Sequence, residues 1–113
     1  VEKGDNARQA EALVQKIISY RIFPDSDGKM NLSLKDIQAG LMLVSQFTLA
    51  ADTNKGLRPS FSSAMPPHEA EKLFQYTVDH ATASYSQVVS GVFAANMRIE
   101  LLNNGPVTFL LEN

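Results

Sequence analysis

The stretch GLMLVSQFTL, residues 40–49, joins an apolar run to a polar one and decides the fold prediction. Its first half, LMLV, follows a glycine and is continuously apolar, which is typical of a strand buried on both faces of a sheet. Its second half places Ser45, Gln46 and Thr48 next to the core, where polar groups need hydrogen-bond partners. These side chains either bond to neighbouring strands and loops, or they mark a strand end that lines a pocket and offers backbone N–H groups to an oxyanion.

A second stretch, NNGPVT at residues 103–108, puts a glycine and a proline between two strand-like runs. Before it, residues 97–101 alternate apolar and charged side chains, which predicts a strand with one face in water. After it, residues 107–111 predict the closing strand. Gly105 and Pro106 therefore form either a tight turn or a cis-proline that aims both carbonyl groups the same way.

The rest of the chain predicts two helices and one further strand. Apolar residues at helical spacing predict helices over residues 6–20 and 67–85. Asp5 or Asn6 would cap the first helix, and a proline pair would begin the second. The order helix, strand, strand, helix, strand, strand predicts an α+β or mixed α/β fold. The further strand is expected at residues 30–34. A turn is expected at residues 25–28, a polar loop at 52–59 and a connector at 87–91.

The composition is that of a single globular domain. The 113 residues are 44% apolar and 19% charged. A net charge of −2 argues against a broad phosphate-binding surface, which normally shows as a basic stripe. Cysteine is absent, so disulfides and thiolate catalysis are excluded. The longest apolar run is far too short for a membrane span, and a start at Val1 without methionine predicts that an N-terminal piece is missing.

No metal or cofactor is expected. The two histidines, His68 and His80, lie on the second predicted helix, and neither has an acid and a nucleophile beside it. A zinc site needs ligands at short spacing, and the DSDG turn at residues 25–28 lacks the later ligands of a calcium loop. Glycine motifs that bind nucleotides are absent from the sequence. The histidines are therefore interpreted as exposed helix residues.

Four motifs, taken in order and at roughly their spacing here, resemble the bacterial D-aminoacyl-tRNA deacylase family, also called the D-tyrosyl-tRNA(Tyr) deacylase family. They are SQFTLAAD (residues 45–52), GLRPSFS (56–62), FAANM (93–97) and NNGPVTF (103–109). Residues 20–33 are similar as well, so the resemblance covers essentially the whole chain. It implies a single cytoplasmic domain, with a mixed, barrel-like sheet packed with two helices, that forms a homodimer. It also implies a hydrolase that cleaves the ester bond of D-aminoacyl-tRNA, and of tRNA mischarged with glycine, in proofreading.

The resemblance implies that Ser45, Gln46, Phe47 and Thr48 line the catalytic pocket. Thr48 is an attractive nucleophile, but an activated threonine needs a base, and no basic side chain is evident beside it. We therefore expect Phe47 and Thr48 to donate backbone N–H groups to the developing oxyanion. In the account favoured for the family, the terminal 2′-hydroxyl of the tRNA takes part instead of a side-chain nucleophile.

The remaining site residues come from the other motifs. The resemblance implies that Gly105 and Pro106 of the partner subunit reach into the pocket, hold the α-amino group and leave no room for an L side chain. Met97 matches a family position near the pocket. Lys55 and Arg58, on the loop after SQFTLAAD, are expected to contact phosphates of the tRNA 3′ end, although a solvated loop explains them equally well.

Two departures from the family pattern leave alternatives open. Asn96 stands where relatives usually have aspartate, which puts any charge role there in doubt. Family members also begin about thirty residues before Val1, with strands whose absence would leave an unpaired sheet edge, and with an arginine that braces the Gly-Pro loop. The alternatives are a non-catalytic module that binds the tRNA 3′ end, and an esterase of small substrates with Ser45 or Thr48 as nucleophile.

Overall fold

The computed structural model describes residues 1–112 and has a mixed α and β architecture. Two long helices pack against each other, and two small sheets and a short helix lie beside them. None of the helices in residues 1–112 is long and apolar enough to cross a lipid bilayer. The elements in chain order are α1 (Ala7–Ser19), β1 (Phe23–Pro24), β2 (Met30–Leu32), α2 (Leu34–Ile37), β3 (Leu41–Leu43), the 3₁₀ turn η1 (Phe47–Ala50), α3 (Pro67–Ser84) and β4 (Val88–Ser90).

Both long helices are confirmed close to their predicted bounds. Asn6 caps α1: its side chain accepts from the Gln9 backbone N–H at 3.2 Å, and the Gln9 side chain accepts in return from the Asn6 N–H at 3.0 Å. This reciprocal pair satisfies two of the N–H groups that a helix start leaves free. Proline at the first position begins α3, as expected where its missing N–H costs nothing.

The core is small and lies where the helices meet the sheets. Val14 and Ile18, on one face of α1, are fully buried. Ile18 packs with Leu34 and Tyr85, and Leu41 and Val88 from β3 and β4 pack against this cluster. The Tyr85 hydroxyl lies within hydrogen-bonding distance of the carbonyl oxygens of Leu34 in α2 and Ala39 just after it, so the buried phenol is satisfied.

The sheets differ from the prediction in three ways. Strands β1 and β2 pair antiparallel, and β3 and β4 pair parallel in a separate sheet, so residues 1–112 form no closed, barrel-like sheet. Strand β4 lies where a connector was predicted. After α3 the chain runs back beside β3 and pairs with it in parallel, with Val88 opposite Leu41. The prediction that β3 is buried on both faces is wrong, since Met42 is 59% exposed and its neighbour Val89 is 61% exposed.

The two strands predicted near the end of the chain are not formed. Residues 91–112 contain no strand, and nearly all side chains over residues 98–110 are exposed. A strand needs a neighbour with which to exchange backbone hydrogen bonds, and no described residue forms such a backbone ladder with this segment, although the Tyr20 ring packs edge-on against Phe109. The period-two pattern is real, but it predicts strand structure only when a partner is present.

The strand predicted over residues 30–34 ends early for a local reason. Ser33 is buried and caps α2, accepting from the Asp36 N–H at 3.4 Å, while its own N–H and hydroxyl donate to Asp36 Oδ2 at 2.7 and 2.6 Å. This capping box turns the chain into a helix directly after Leu32. The hydrogen bonds from Ser33 hold the pKa of Asp36 below its ordinary value.

Candidate functional site

The polar stretch after β3 leaves the sheet and becomes the 3₁₀ turn η1. Gln46 stands before the turn in an extended conformation, with φ −145° and ψ 93°. The backbone N–H of Leu49 donates to the Gln46 carbonyl at 3.3 Å, and that of Ala51 donates to the Thr48 carbonyl at 3.2 Å. The Ser63 hydroxyl fixes the end of the turn by donating to the Ala50 carbonyl at 2.6 Å. The candidate catalytic segment is therefore a turn fixed by hydrogen bonds at the end of a strand.

Two backbone donors of this turn have no acceptor within residues 1–112. They are the N–H groups of Phe47 and Thr48, the first two residues of η1. A helical turn leaves its first N–H groups free unless a side chain caps them. Gln46 provides no such cap, because its side-chain amide donates instead to the Thr48 hydroxyl at 2.6 Å. The turn thus offers two adjacent donors of the kind that stabilise negative charge on an oxygen.

The side chains of this segment offer little acid–base chemistry. The Thr48 hydroxyl bonds to the Gln46 amide, which cannot accept its proton. Phe47 is 61% exposed and lies against the Phe61 ring, with centroids 5.0 Å apart. Ser45 is half-buried. The segment therefore combines an aromatic surface with backbone donors, without a side-chain base bonded to its hydroxyl groups in the described part of the chain.

A polar loop carries the two cations expected to meet phosphate. Asp52 and Ser60 close this loop with two backbone hydrogen bonds of 2.8 and 2.9 Å. Lys55 and Arg58 are exposed between them, and neither forms an ion pair with a described residue. Their position directly after η1 suits them to contact an anion that extends from the turn.

Met97 lies near the residue that precedes the SQFTL stretch. Its side chain is half-buried over Gly91, at the end of β4, and the Val44 side chain lies next to the same space. Val44 is the residue that precedes Ser45. Asn96, by contrast, is exposed.

The Gly-Pro loop lies apart from this group. The Gly105–Pro106 peptide bond is cis, in agreement with one of the two sequence interpretations, and Gly105 has φ +142°. Both residues are exposed. The Val107 N–H donates to Asn103 Oδ1 at 3.3 Å within the loop. No hydrogen bond or ring contact of the described residues joins the loop to residues 45–48.

The titratable groups with displaced pKa values lie in other parts of the fold. A hydrogen bond from the Asn31 side chain, with help from the Lys29 N–H, lowers the pKa of Asp25 in the DSDG turn. The hydrogen bond to Glu11 raises the pKa of Tyr76 on α3. Residues 1–112 contain no group of three histidine, aspartate or glutamate side chains that could hold a metal ion.

Sequence reasoning missed two features of the site. One is the hydrogen bond between Gln46 and Thr48, because period and motif do not report which polar side chains meet. The other is the Met97 side chain, which lies over Gly91 and near Val44 and so brings together two motifs that are separated in sequence by the whole of α3 and by β4. A glycine at a strand end, followed by a short turn, is the one signal that the sequence offers for this contact.

The chain is similar to proteins of one family. The family model described as "D-Tyr-tRNA(Tyr) deacylase" matches residues 1–112. A "D-aminoacyl-tRNA deacylase" of Pseudomonas putida is 55% identical over 112 residues, which cover 99% of this chain and 77% of that protein. One of Pseudomonas fluorescens is 56% identical with the same coverage. A solved structure titled "c-Myc DNA Unwinding Element Binding Protein" matches with a TM-score of 0.93 at 34% identity, covering all of this chain and 77% of that one.

Proposed function

The chain belongs to the D-Tyr-tRNA(Tyr) deacylase family, and from that premise we propose how its residues perform the reaction. It is a hydrolase of tRNA proofreading that cleaves the ester bond of D-aminoacyl-tRNA. Free tRNA and the free D-amino acid are the products. We include tRNA mischarged with glycine among the substrates and place the enzyme in the cytoplasm.

The observation that carries the mechanism is the pair of free N–H groups on Phe47 and Thr48. When water attacks the ester carbonyl carbon, negative charge develops on the carbonyl oxygen, and fixed donors stabilise it without reorganising. The ester C–O bond then breaks, and the tRNA oxygen leaves with a proton. The terminal 2′-hydroxyl of the tRNA, rather than the Thr48 hydroxyl, assists the attack. The Thr48 hydroxyl accepts a hydrogen bond from the Gln46 amide, and that amide cannot act as a base to activate it.

Chirality is enforced by Gly105 and Pro106 of the partner subunit. Their carbonyl groups accept from the α-amino group of the substrate and leave no space for an L side chain, so selection works by rejection. Two observations support a role in the other subunit. The loop is exposed, and it makes no hydrogen bond or ring contact with residues 45–48 of its own chain within the described residues.

A homodimer explains the exposed apolar residues near the end of the chain. Such a concentration of exposed apolar side chains marks an interaction surface. In the dimer, residues 98–102 and 107–111 would find the neighbours that they lack here and extend the small sheets toward the barrel-like sheet implied by the family resemblance. The exposed apolar side chains of these segments are Ile99, Leu101, Leu102, Val107, Phe109 and Leu110.

Lys55 and Arg58 contact the phosphates of the tRNA 3′ end. A net charge of −2 is compatible with this role, since gripping a short single-stranded end neutralises few phosphates. The loop that carries both cations follows η1 directly, so the ester and the adjoining phosphates would lie along one line of the surface.

The test compares the release of tyrosine from D-Tyr-tRNA and from L-Tyr-tRNA by this chain, with p-nitrophenyl acetate as a small ester. We expect turnover of the D substrate alone. Equal rates on both enantiomers would exclude a chiral pocket. Rapid hydrolysis of the small ester would favour a serine or threonine esterase, and binding of the tRNA without turnover would favour a binding module.

A further inference from the structure

Gly91 lies where an added methyl group would collide with the candidate site. A carbon built on its Cα would lie 2.8 Å from the Met97 sulfur, 3.4 Å from the Met97 methyl carbon and 3.5 Å from Val44 Cγ1. The φ of Gly91 is not in the left-handed region, so a positive φ is not the reason for glycine here. The Met97 thioether fills the space that a side chain at this position would take.

The same glycine ties the two strands together at the edge of the catalytic segment. Its N–H donates to the Leu43 carbonyl at 2.8 Å, just beyond the last paired residues of β3 and β4. Val44 and Ser45 follow Leu43 directly. Gly91 thus sits at the point where the chain leaves the sheet and turns into η1, and the Met97 side chain covers that point.

A short turn brings Met97 back over Gly91. The Ala95 N–H donates to the Val92 carbonyl at 3.3 Å, and Ala94 takes the left-handed conformation with φ +57°. The Phe93 ring holds the turn against α3, with its centroid 6.1 Å from that of Phe74. The hydrogen bond within the turn and the packing of Phe93 on α3 therefore fix the backbone that carries Met97, which directs its side chain toward Gly91.

We propose that Gly91 is a positioning residue for the deacylation reaction: by carrying no side chain, it admits the Met97 thioether beside Val44 and fixes the pocket wall next to Ser45. This inference rests on the proposed function. Methionine is flexible, so an added methyl group would displace the thioether rather than unfold the sheet. Substrate bound against that wall would then be held out of position. Misplacement of about 1 Å costs up to two orders of magnitude in rate.

The first test is Gly91→Ala with Gly40→Ala as its matched control. Gly40 precedes β3, and an added methyl group there would meet nothing closer than the Gln87 carbonyl oxygen at 3.9 Å. For D-Tyr-tRNA we expect Gly91→Ala to lower kcat/KM on the order of ten-fold, with a thermal midpoint close to that of the parent. Gly40→Ala should stay within about two-fold of the parent. A fully active Gly91→Ala variant would overturn the proposal.

The second test separates positioning from general damage by removing the sulfur. Residues in contact show non-additive effects, so Gly91→Ala should lower kcat/KM by less than about two-fold when added to Met97→Ala. The same ten-fold loss in both backgrounds would contradict the proposal, since the methyl group would then be acting through something other than the thioether.

A third readout does not depend on activity. The ¹³C-methyl NMR signal of Met97 should shift in Gly91→Ala and stay in place in Gly40→Ala. If the parent chain fails to deacylate D-Tyr-tRNA, the proposed function fails, but this signal still tests whether the Met97 thioether packs against Gly91. An unchanged Met97 signal in Gly91→Ala would show that it does not.

Discussion

Residues 45–50 and residues 103–109 both place polar residues beside apolar runs, yet the fold holds them in opposite ways. The first segment follows a paired strand and is fixed by hydrogen bonds at both ends, from Gln46 to Thr48 and from Ser63 to Ala50. The second is exposed: the loop around Gly105 has one hydrogen bond of its own, and Phe109 at the end of the segment packs against the Tyr20 ring. Under the proposed function, the fixed turn and the exposed loop come from different subunits and meet in one site.

The difference assigns the two segments different work. The fixed turn can present N–H groups in preset positions, which is what stabilisation of a transition state requires. The exposed loop makes no hydrogen bond or ring contact with residues 45–48 of its own chain within the described residues. Under the proposed function, it therefore contacts a substrate only when it faces the turn of a partner subunit. The following changes are expected to affect one segment and spare the other.

The largest expected effect is the loss of one N–H donor from the fixed turn. Phe47→Pro removes the donor at the first position of η1, where proline is tolerated, and Gln46 before it is extended rather than helical, as a residue before proline must be. We expect kcat on D-Tyr-tRNA to fall by roughly 10²- to 10³-fold. Phe47→Ala is the control, because it loses the same ring and keeps the N–H. Similar rates for the two variants would argue against a backbone oxyanion hole.

The next effect belongs to the exposed loop. Gly105 has φ +142°, and a Cβ there would also lie 3.2 Å from Val107 Cγ2, so Gly105→Ala forces the loop to move. We expect the ratio of kcat/KM for D-Tyr-tRNA over L-Tyr-tRNA to fall on the order of ten-fold or more. Gly28→Ala, at another positive φ and with open space around it, is the control. An unchanged ratio would show that the Gly105 loop does not select between the D and L substrates.

A side-chain change within the fixed turn should cost less. Thr48→Ala removes the hydroxyl and its bond to Gln46 but keeps the N–H group. We expect kcat to fall by less than about ten-fold, since loss of a true nucleophile costs several orders of magnitude. Thr82→Ala on α3, whose hydroxyl is exposed and bonds only to its own helix, is the control. Single-turnover kinetics that reveal a loss of a thousand-fold or more would restore Thr48 as the nucleophile.

The smallest effect concerns stability away from both segments. Ser33→Ala removes the cap of α2 and should lower the free energy of unfolding by about 1 kcal/mol, measured in urea. Because the Ser33 bonds lower the pKa of Asp36, their contribution is fully present above the ordinary value of 3.8 and is lost as pH falls below it. The difference between parent and variant should therefore narrow in acid, because the bond from the Ser33 hydroxyl to the carboxylate is lost while the bond from the Asp36 N–H to that hydroxyl remains. A difference that does not change with pH would show that the cap acts without the carboxylate.

The comparison of the two segments also shows what sequence could and could not predict. The helices were predictable because their signals are local: Asn6 with Gln9, and a proline at the start of α3. Strand β4 was not, since Val88 becomes a strand only through pairing with Leu41 across the length of α3. The strands expected at residues 97–101 and 107–111 failed for the converse reason, as their pattern is present without a neighbour.

The candidate site divides in the same way. Motifs predict Thr48, Gly105 and Met97 as site residues, because residue type and spacing carry that information. They did not reveal that the Gln46 amide donates a hydrogen bond to the Thr48 hydroxyl, nor that the first two N–H groups of η1 have no acceptor among residues 1–112. Those facts depend on where η1 begins, and a 3₁₀ turn of four residues leaves almost no pattern in a sequence.

The most direct test of a site shared between subunits is to mix the two damaged variants. Phe47→Pro damages the turn and Gly105→Ala damages the loop, so a mixed dimer has one site in which both parts are intact. After co-refolding at equal amounts, half of the dimers are mixed, so about one quarter of all sites are fully intact, and the account predicts a ratio of kcat/KM for D-Tyr-tRNA over L-Tyr-tRNA clearly above that of Gly105→Ala alone. A mixture no more selective than Gly105→Ala alone would contradict the account.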